Sequence, residues 1–195
     1  MRHASNTSDH AGYRAGSRAN PPGDVLARAC LALEAVPDPE IPVVSIRDLG
    51  ILREVRRAAD GTLEVVITPT YSGCPAMSQI AEDIGRALDA EGLAPYRIET
   101  VLAPAWTTDW ITEAAREKLR EYGIAPPTGS AALDPAQGSG AERVIRFAPR
   151  ANEAPPCPRC GSAQTQRLAQ FSSTACKALY RCLDCREPFD YFKPY

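Results

Sequence analysis

Histidine is almost missing from this chain of 195 residues. Only His3 and His10 are present, and both precede the region in which a hydrophobic pattern begins. Enzymes that use histidine as a general acid or base, or as a metal ligand, need that side chain in the folded part of the protein. We therefore expect no histidine-dependent catalysis from the folded part of the chain.

Strong net charge and long apolar runs are missing as well. A formal charge of -2 excludes the basic footprint of a typical nucleic-acid-binding protein. No apolar run approaches the roughly 18 residues that a membrane helix needs. Residues 1–22 lack the apolar core of a secretory signal and are rich in Ser, Ala, Asn, Gly and Arg, which predicts a disordered tail.

Cysteine, in contrast, is frequent, and its spacing is informative. Seven cysteines in a chain without a secretory signal indicate a reducing compartment, so we expect a cytoplasmic location. Four of them form two CxxC pairs, Cys157/Cys160 and Cys182/Cys185. Two such pairs about twenty residues apart are typical of a four-thiolate metal site. We predict a zinc-ribbon-like β module over residues 154–195 with structural zinc; iron, which also accepts four thiolates, and a redox role are the alternatives.

Two details of this module stay open in the sequence. Gly161 follows the first pair and suits a left-handed backbone, whereas Arg186 stands in the equivalent position after the second pair. We therefore expect the second turn to differ slightly. Cys176 fits neither pair, and we interpret it either as a buried neutral thiol or as an exchangeable extra ligand of the ribbon metal.

Residues 23–125 have the pattern of a small α/β (α+β) domain with a mixed sheet. The predicted order is helix, two strands, helix, strand, helix, with Asp24 as the cap of the first helix and Asp60-Gly61 as a hairpin turn. Residues 126–153 are rich in Pro, Gly, Ser and Ala, which predicts a linker. The elements expected after the first helix are a hairpin over 51–68, a helix over 75–91, a strand over 97–103 and a helix over 112–122.

Cys74 is the candidate functional residue of this domain. It lies between Gly73 and Pro75, where a proline at the first helical position would leave Cys74 as the helix cap. Free backbone N–H groups and the helix dipole would then lower the pKa of the thiol and favour the thiolate. The alternative is a small residue buried in a tight turn.

Oxygen ligands accompany Cys74 if the loop after the first helix folds over the same end of the sheet. The carboxylates of Asp38 and Glu40 and the hydroxyls of Thr68 and Thr70 would then converge on the thiol. Asp48 lies in the same loop and is also interpreted as a cap or turn residue.

The two motifs together resemble a known family. Residues 38–50 (DPEIPVVSIRDLG) and 68–75 (TPTYSGCP) are similar to the small iron–sulfur cluster assembly domain. The same domain joined to a ribbon with STACKALYRC over 173–182 and CREPFDYFK over 185–193 resembles the D-type family (PaaD) of bacterial phenylacetyl-CoA epoxidase, or phenylacetate-CoA oxygenase, systems.

This resemblance implies an accessory protein without catalytic activity of its own. Its expected role in phenylacetate catabolism is to assemble or deliver an iron–sulfur cluster to the reductase component, with the other epoxidase subunits as further partners. Cys74 matches the position suspected of carrying the cluster, and Asp38 and Glu40 belong to the same motif. Because one cysteine cannot hold a cluster alone, we expect a transient cluster shared with a partner or bridged within a homodimer.

Two other functions compete with this one. An oxygenase or thioester hydrolase is disfavoured because the chain has no Glu-x-x-His pair for a di-iron site. A non-catalytic scaffold that docks the oxygenase complex through the ribbon is compatible with the accessory role.

Overall fold

The computed structural model describes residues 22–128 and 154–194. The predicted tail, apart from Pro22, and most of the predicted linker lie outside the described residues.

The first module, residues 22–125, is a three-stranded mixed sheet covered by helices. Strands β1 (Leu52–Arg57) and β2 (Leu63–Ile67) form an antiparallel hairpin, and β3 (Tyr96–Thr100) pairs in parallel with β2. Helix α1 (Pro22–Glu34) packs against α2 and β1. Helix α2 (Ala76–Ala90) makes the crossover between β2 and β3, and α3 (Glu113–Tyr122) follows β3.

Local sequence patterns explain these elements and confirm the predicted order. All five residues of β2 are buried, as expected for the central strand. The hairpin turn is stabilised by Asp60, whose side chain accepts a hydrogen bond from the N–H of Thr62. In α2, the buried residues Ile80, Ile84 and Leu88 form one apolar stripe.

Two predicted helix starts were wrong. Asp24 lies inside α1 because this helix already begins at Pro22, a residue that favours the first turn. Helix α2 begins at Ala76 and its cap residue is Pro75, so Cys74 precedes the cap. A proline at the cap offers no side-chain hydrogen bond, and the thiol lies one position before the cap.

The ribbon module, residues 154–194, contributes strands β5 (Thr165–Ala169), β6 (Lys177–Cys182) and β7 (Pro188–Phe192), which pair in antiparallel fashion. Strand β4 (Ile124–Ala125), the end of the first module, adds to this sheet in parallel with β7. The resulting order is β4-β7-β6-β5, so the two modules share a sheet.

They also share a hydrophobic core. Phe192 is 1% exposed and belongs to the same buried cluster as α2 and β2. Its ring lies 6.0 Å from the ring of Trp106, whose Nε1 donates a hydrogen bond of 2.8 Å to the carbonyl of Leu49. Cys176 belongs to this cluster too. The ribbon therefore completes the core of the first module.

No helix in the two described ranges is long and apolar enough to cross a membrane.

The shared core predicts an effect of Phe192→Ala on the first module. Truncating a fully buried Phe costs about 3–5 kcal/mol, and both tryptophans of the chain lie in the first module. We expect urea unfolding, followed by tryptophan fluorescence, to show a loss of that size. The matched control is Phe171→Ala, at a ring that is 60% exposed, with an expected change within about 0.5 kcal/mol. An unchanged tryptophan transition in Phe192→Ala would contradict a shared core.

Candidate functional site

Four sulfurs of the ribbon module meet in one place. The Sγ atoms of the two CxxC pairs all lie within 4.8 Å of one another. Cys157 and Cys185 are 3.8 Å apart, and Cys160 and Cys182 are 3.6 Å apart. A tetrahedral site with Zn–S distances of about 2.3 Å places its sulfurs about 3.8 Å apart. The donor set therefore fits a four-thiolate metal ion.

Backbone N–H groups prepare these sulfurs for a cation. Desolvation opposes ionisation of Cys182, but the N–H groups of Cys185 and Asp184 outweigh it, and the pKa of Cys182 falls to about 6. For Cys185, the Glu187 N–H favours ionisation, whereas desolvation and the three neighbouring sulfurs raise the pKa to about 12. Four thiolates this close repel one another, and a divalent cation removes that repulsion.

The two metal-binding turns share their main backbone features, and a bond from Gly161 N to Cys157 O further closes the first turn. Gly161 has φ of 74° and Arg186 has φ of 68°, both in the left-handed region. Each turn also closes with the same hydrogen bond, from Cys157 N to Ser162 O and from Cys182 N to Glu187 O. The need to point N–H groups at the sulfurs imposes this shape, and Arg186 bears a strain of about 1 kcal/mol.

Cys74 lies in the turn before α2 and is half-buried. Its thiol accepts a hydrogen bond from the N–H of Ala76 and is hydrogen-bonded to Thr70. The predicted lowering of its pKa was nevertheless wrong. Burial raises the pKa of Cys74, and the carboxylates of Asp38 and Glu40 raise it further, so that these effects outweigh the helix N-terminus.

Asp38 and Glu40 both act electrostatically on Cys74. The Asp38 carboxylate is 6% exposed and accepts hydrogen bonds from the N–H groups of Glu40, at 2.9 Å, and Ile41, at 2.8 Å. Burial raises the pKa of Asp38 despite these bonds, and burial together with Asp38 raises the pKa of Glu40. The loop after α1 thus places two carboxyl groups with a raised proton affinity within electrostatic range of the thiol.

The other predicted oxygen ligands separate into two groups. Thr70 joins the thiol, but Thr68 donates its hydroxyl hydrogen to the carbonyl of Val101 and is fully buried, which ties it to the chain after β3. Asp48 accepts hydrogen bonds from the N–H of Ser45, at 3.1 Å, and from Nζ of Lys118, at 2.6 Å.

Cys176 is not a member of the four-sulfur group. It is 6% exposed in the core shared by the modules, and its Sγ lies 3.0 Å from the hydroxyl of Thr174. Burial raises its pKa, and Glu40 and Asp38 raise it further. The same two carboxylates therefore act on Cys176 and on Cys74. The sequence analysis did not predict this placement of Cys176. The available signal was a cysteine left over after the two metal-binding pairs were assigned.

Comparisons with known proteins agree with this two-module arrangement. Residues 27–102 match the family model described as iron-sulfur cluster assembly protein, and residues 141–193 match the PaaD zinc beta ribbon domain. A protein of Escherichia coli (strain K12) that is assigned as the D subunit of 1,2-phenylacetyl-CoA epoxidase is 47% identical over 161 residues, which cover 83% of this chain and 88% of the relative. This chain belongs to the PaaD family. The resemblance found in the sequence is confirmed.

Other relatives match a part of the PaaD chain. An Fe-S protein maturation auxiliary factor of Porphyromonas gingivalis (strain ATCC BAA-308 / W83) is 36% identical over 88 residues, which cover 45% of this chain and 83% of the relative. A crystal structure of a domain of unknown function, DUF59, from Bacillus anthracis is 26% identical in sequence. The match covers 50% of this chain and 92% of the chain in that structure, with a TM-score of 0.45.

The raised pKa of Cys74 predicts slow alkylation in this PaaD chain. Only the thiolate reacts, so the zinc-loaded protein should react with iodoacetamide at Cys74 more slowly than free cysteine at neutral pH. The rate should rise with pH and level off only above the ordinary thiol pKa. Peptide mass spectrometry of timed samples measures this profile.

A charge variant tests the cause of the shift. Glu40→Gln removes one negative neighbour and should move the alkylation profile of Cys74 to lower pH. Glu113→Gln, at an exposed carboxylate of α3, is the control and should leave the profile in place. A profile of the unmutated protein below that of free cysteine would show that the helix N-terminus dominates after all.

Proposed function

We propose that this chain is an accessory factor that binds an iron–sulfur cluster as cargo and passes it on within a phenylacetyl-CoA epoxidase system. The observation that carries this proposal is the electrostatic effect of Asp38 and Glu40 on the thiol of Cys74, which lies just before α2. The names of the relatives support it, since one is a subunit of that epoxidase and another is a maturation factor for Fe-S proteins. On this proposal the chain performs no oxygenation itself.

The chemistry of the Cys74 site suits a cargo better than a permanent metal. A thiol with a raised pKa is neutral until a cation arrives, and it then binds as thiolate and releases a proton. The two carboxylates provide negative charge that attracts iron to the site. Cys74 is a single sulfur, whereas the ribbon gathers four sulfurs around one metal position, so a cargo at Cys74 is held by fewer sulfur bonds and can leave.

We also propose the identity of the ribbon metal, the recipient of the cargo and the location of the protein in the cell. We assign zinc to the four ribbon cysteines, with a structural role, because their spacing matches a tetrahedral thiolate site. The recipient is the iron–sulfur reductase component, and the other epoxidase subunits are partners. The cytoplasmic location is supported by the free state of all seven cysteines.

A docking role is the second candidate function. It is favoured by the ribbon surface, where Leu168 on β5 and the nearby Phe171 are largely exposed. Exposed apolar side chains are suited to a protein partner. Docking and cluster delivery are compatible, because a carrier has to contact its recipient.

Anaerobic loading with iron and sulfide tests the cargo role. The zinc-loaded chain should take up iron and acid-labile sulfide and transfer both to cluster-free reductase. Cys74→Ser should lose most of this uptake because serine is a poor ligand for iron–sulfur clusters. Cys30→Ser, at a cysteine of α1, is the control and should load normally. Equal uptake of iron and sulfide by Cys74→Ser and the unmutated chain, at equal zinc content, would contradict the proposal.

A further inference from the structure

A second thiol lies on the ribbon side of the Cys74 site. Cys176 precedes β6, and its backbone carbonyl accepts a hydrogen bond of 2.9 Å from the N–H of Lys193, just after β7. This bond holds Cys176 at the junction of the two modules. Cys74 and Tyr71 pack against the buried cluster that contains Cys176. Cys176 is therefore a member of a buried cluster against which Cys74, 102 positions earlier in the numbering (176 − 74), also packs.

Two carboxylates act on both thiols. Asp38 and Glu40 raise the pKa of Cys74 and of Cys176 beyond the effect of burial. Burial raises the pKa of the Tyr71 phenol, and both thiols and Glu40 raise it further. On the ribbon side, the cations next to Cys176 are Lys177, whose Nζ lies 3.0 Å from Asp190, and Lys193, which stacks over Phe171. Lys177 also acts on Asp38, Glu40 and Cys176, so its charge offsets part of the negative charge at the junction.

We propose that Cys74 and Cys176 are a pair of thiol ligands in one chain, and that they hold the iron–sulfur cargo between the two modules. This inference rests on the proposed function and specifies where the second sulfur ligand of the cargo comes from. The second sulfur ligand then comes from the ribbon of the same chain, and neither a second copy nor a partner is needed to supply it.

The binding step is a simple exchange of protons for iron. Each thiol loses one proton and forms one sulfur–iron bond, and no electron is transferred. One lysine, Lys177, cannot balance two thiolates and two carboxylates at a half-buried junction, so ionisation of all four groups needs a further cation. The positive charge of the iron stabilises the thiolates, so loading releases protons and strengthens as the pH rises.

The junction also has an opening beside one of the two carboxylates. A cleft of about 400 Å³ is lined by Glu40, Tyr122, Lys177 and Asp190, among others, although neither Cys74 nor Cys176 lines it. Clusters normally take four protein ligands, and this pair supplies two of them. The remaining positions are open to the carboxylates during storage and to the cysteines of a recipient during transfer.

Loading of single-cysteine variants tests the pair. Full-length zinc-loaded protein is incubated anaerobically with iron and sulfide, and iron, sulfide and zinc per chain are measured together with the mass of the loaded species. The unmutated chain should load as a single chain. Cys176→Ser and Cys74→Ser should both lose most of the iron and sulfide but keep their zinc, and Cys30→Ser should match the unmutated chain.

A second measurement does not depend on loading or on the stability of a variant. A bifunctional reagent that fluoresces only after bridging two thiols is added to the unmutated zinc-loaded protein, whose ribbon thiolates are protected by the metal. Peptide mapping should find a bridge between Cys74 and Cys176. If both thiols react but no bridge between them forms, the inference is overturned. This result decides the question even if the Cys176→Ser variant does not fold.

The outcomes separate this inference from the proposed function. If Cys176→Ser loads like the unmutated chain and Cys74→Ser does not, the pair is wrong and the cargo role of Cys74 stands. Loading of the unmutated chain only as a dimer also overturns the pair and leaves that role intact. If Cys74→Ser loads normally, both proposals fail.

Discussion

The contact between the ribbon and the first module is the constraint on which the rest of the structure depends. Phe192 fills a gap beside Trp106, and β4 extends the ribbon sheet by pairing with β7. Without this contact the ribbon would be an appended metal-binding domain with no influence on Cys74. With it, Cys176 lies in the buried cluster against which Cys74 packs, and Asp38 and Glu40 act on both thiols.

The two thiol sites follow opposite physical strategies. In the ribbon, backbone N–H groups stabilise negative sulfur in advance, and two left-handed turns hold the sulfurs at tetrahedral spacing even at the cost of strain in Arg186. A metal bound there is an integral part of the fold. At the junction, burial and carboxylates keep Cys74 and Cys176 protonated until a cation binds. The first strategy suits permanent zinc, and the second suits a cargo that has to leave.

Local patterns in the sequence predicted most elements of the fold, and tertiary contacts account for what they missed. The apolar stripe of α2 and the Asp60-Gly61 turn depend on neighbours within a few residues, and both were predicted correctly. The pKa of Cys74 was predicted in the wrong direction because its largest cause, burial, depends on distant segments. The same reason explains why the position of Cys176 could not be predicted, since the segment that places it lies in another module.

Hydrogen exchange with and without the ribbon metal tests the dependence of the Cys74 site on the ribbon most directly. After zinc is removed with a chelator, the account predicts faster amide exchange in the ribbon and also in residues 38–41 and 70–76 of the first module, because the packing of Phe192 and Cys176 is lost. The amides of β2, which the sheet holds on both sides, should change least. Faster exchange confined to residues 154–194 would contradict the account, because it would mean that the two modules fold and act independently.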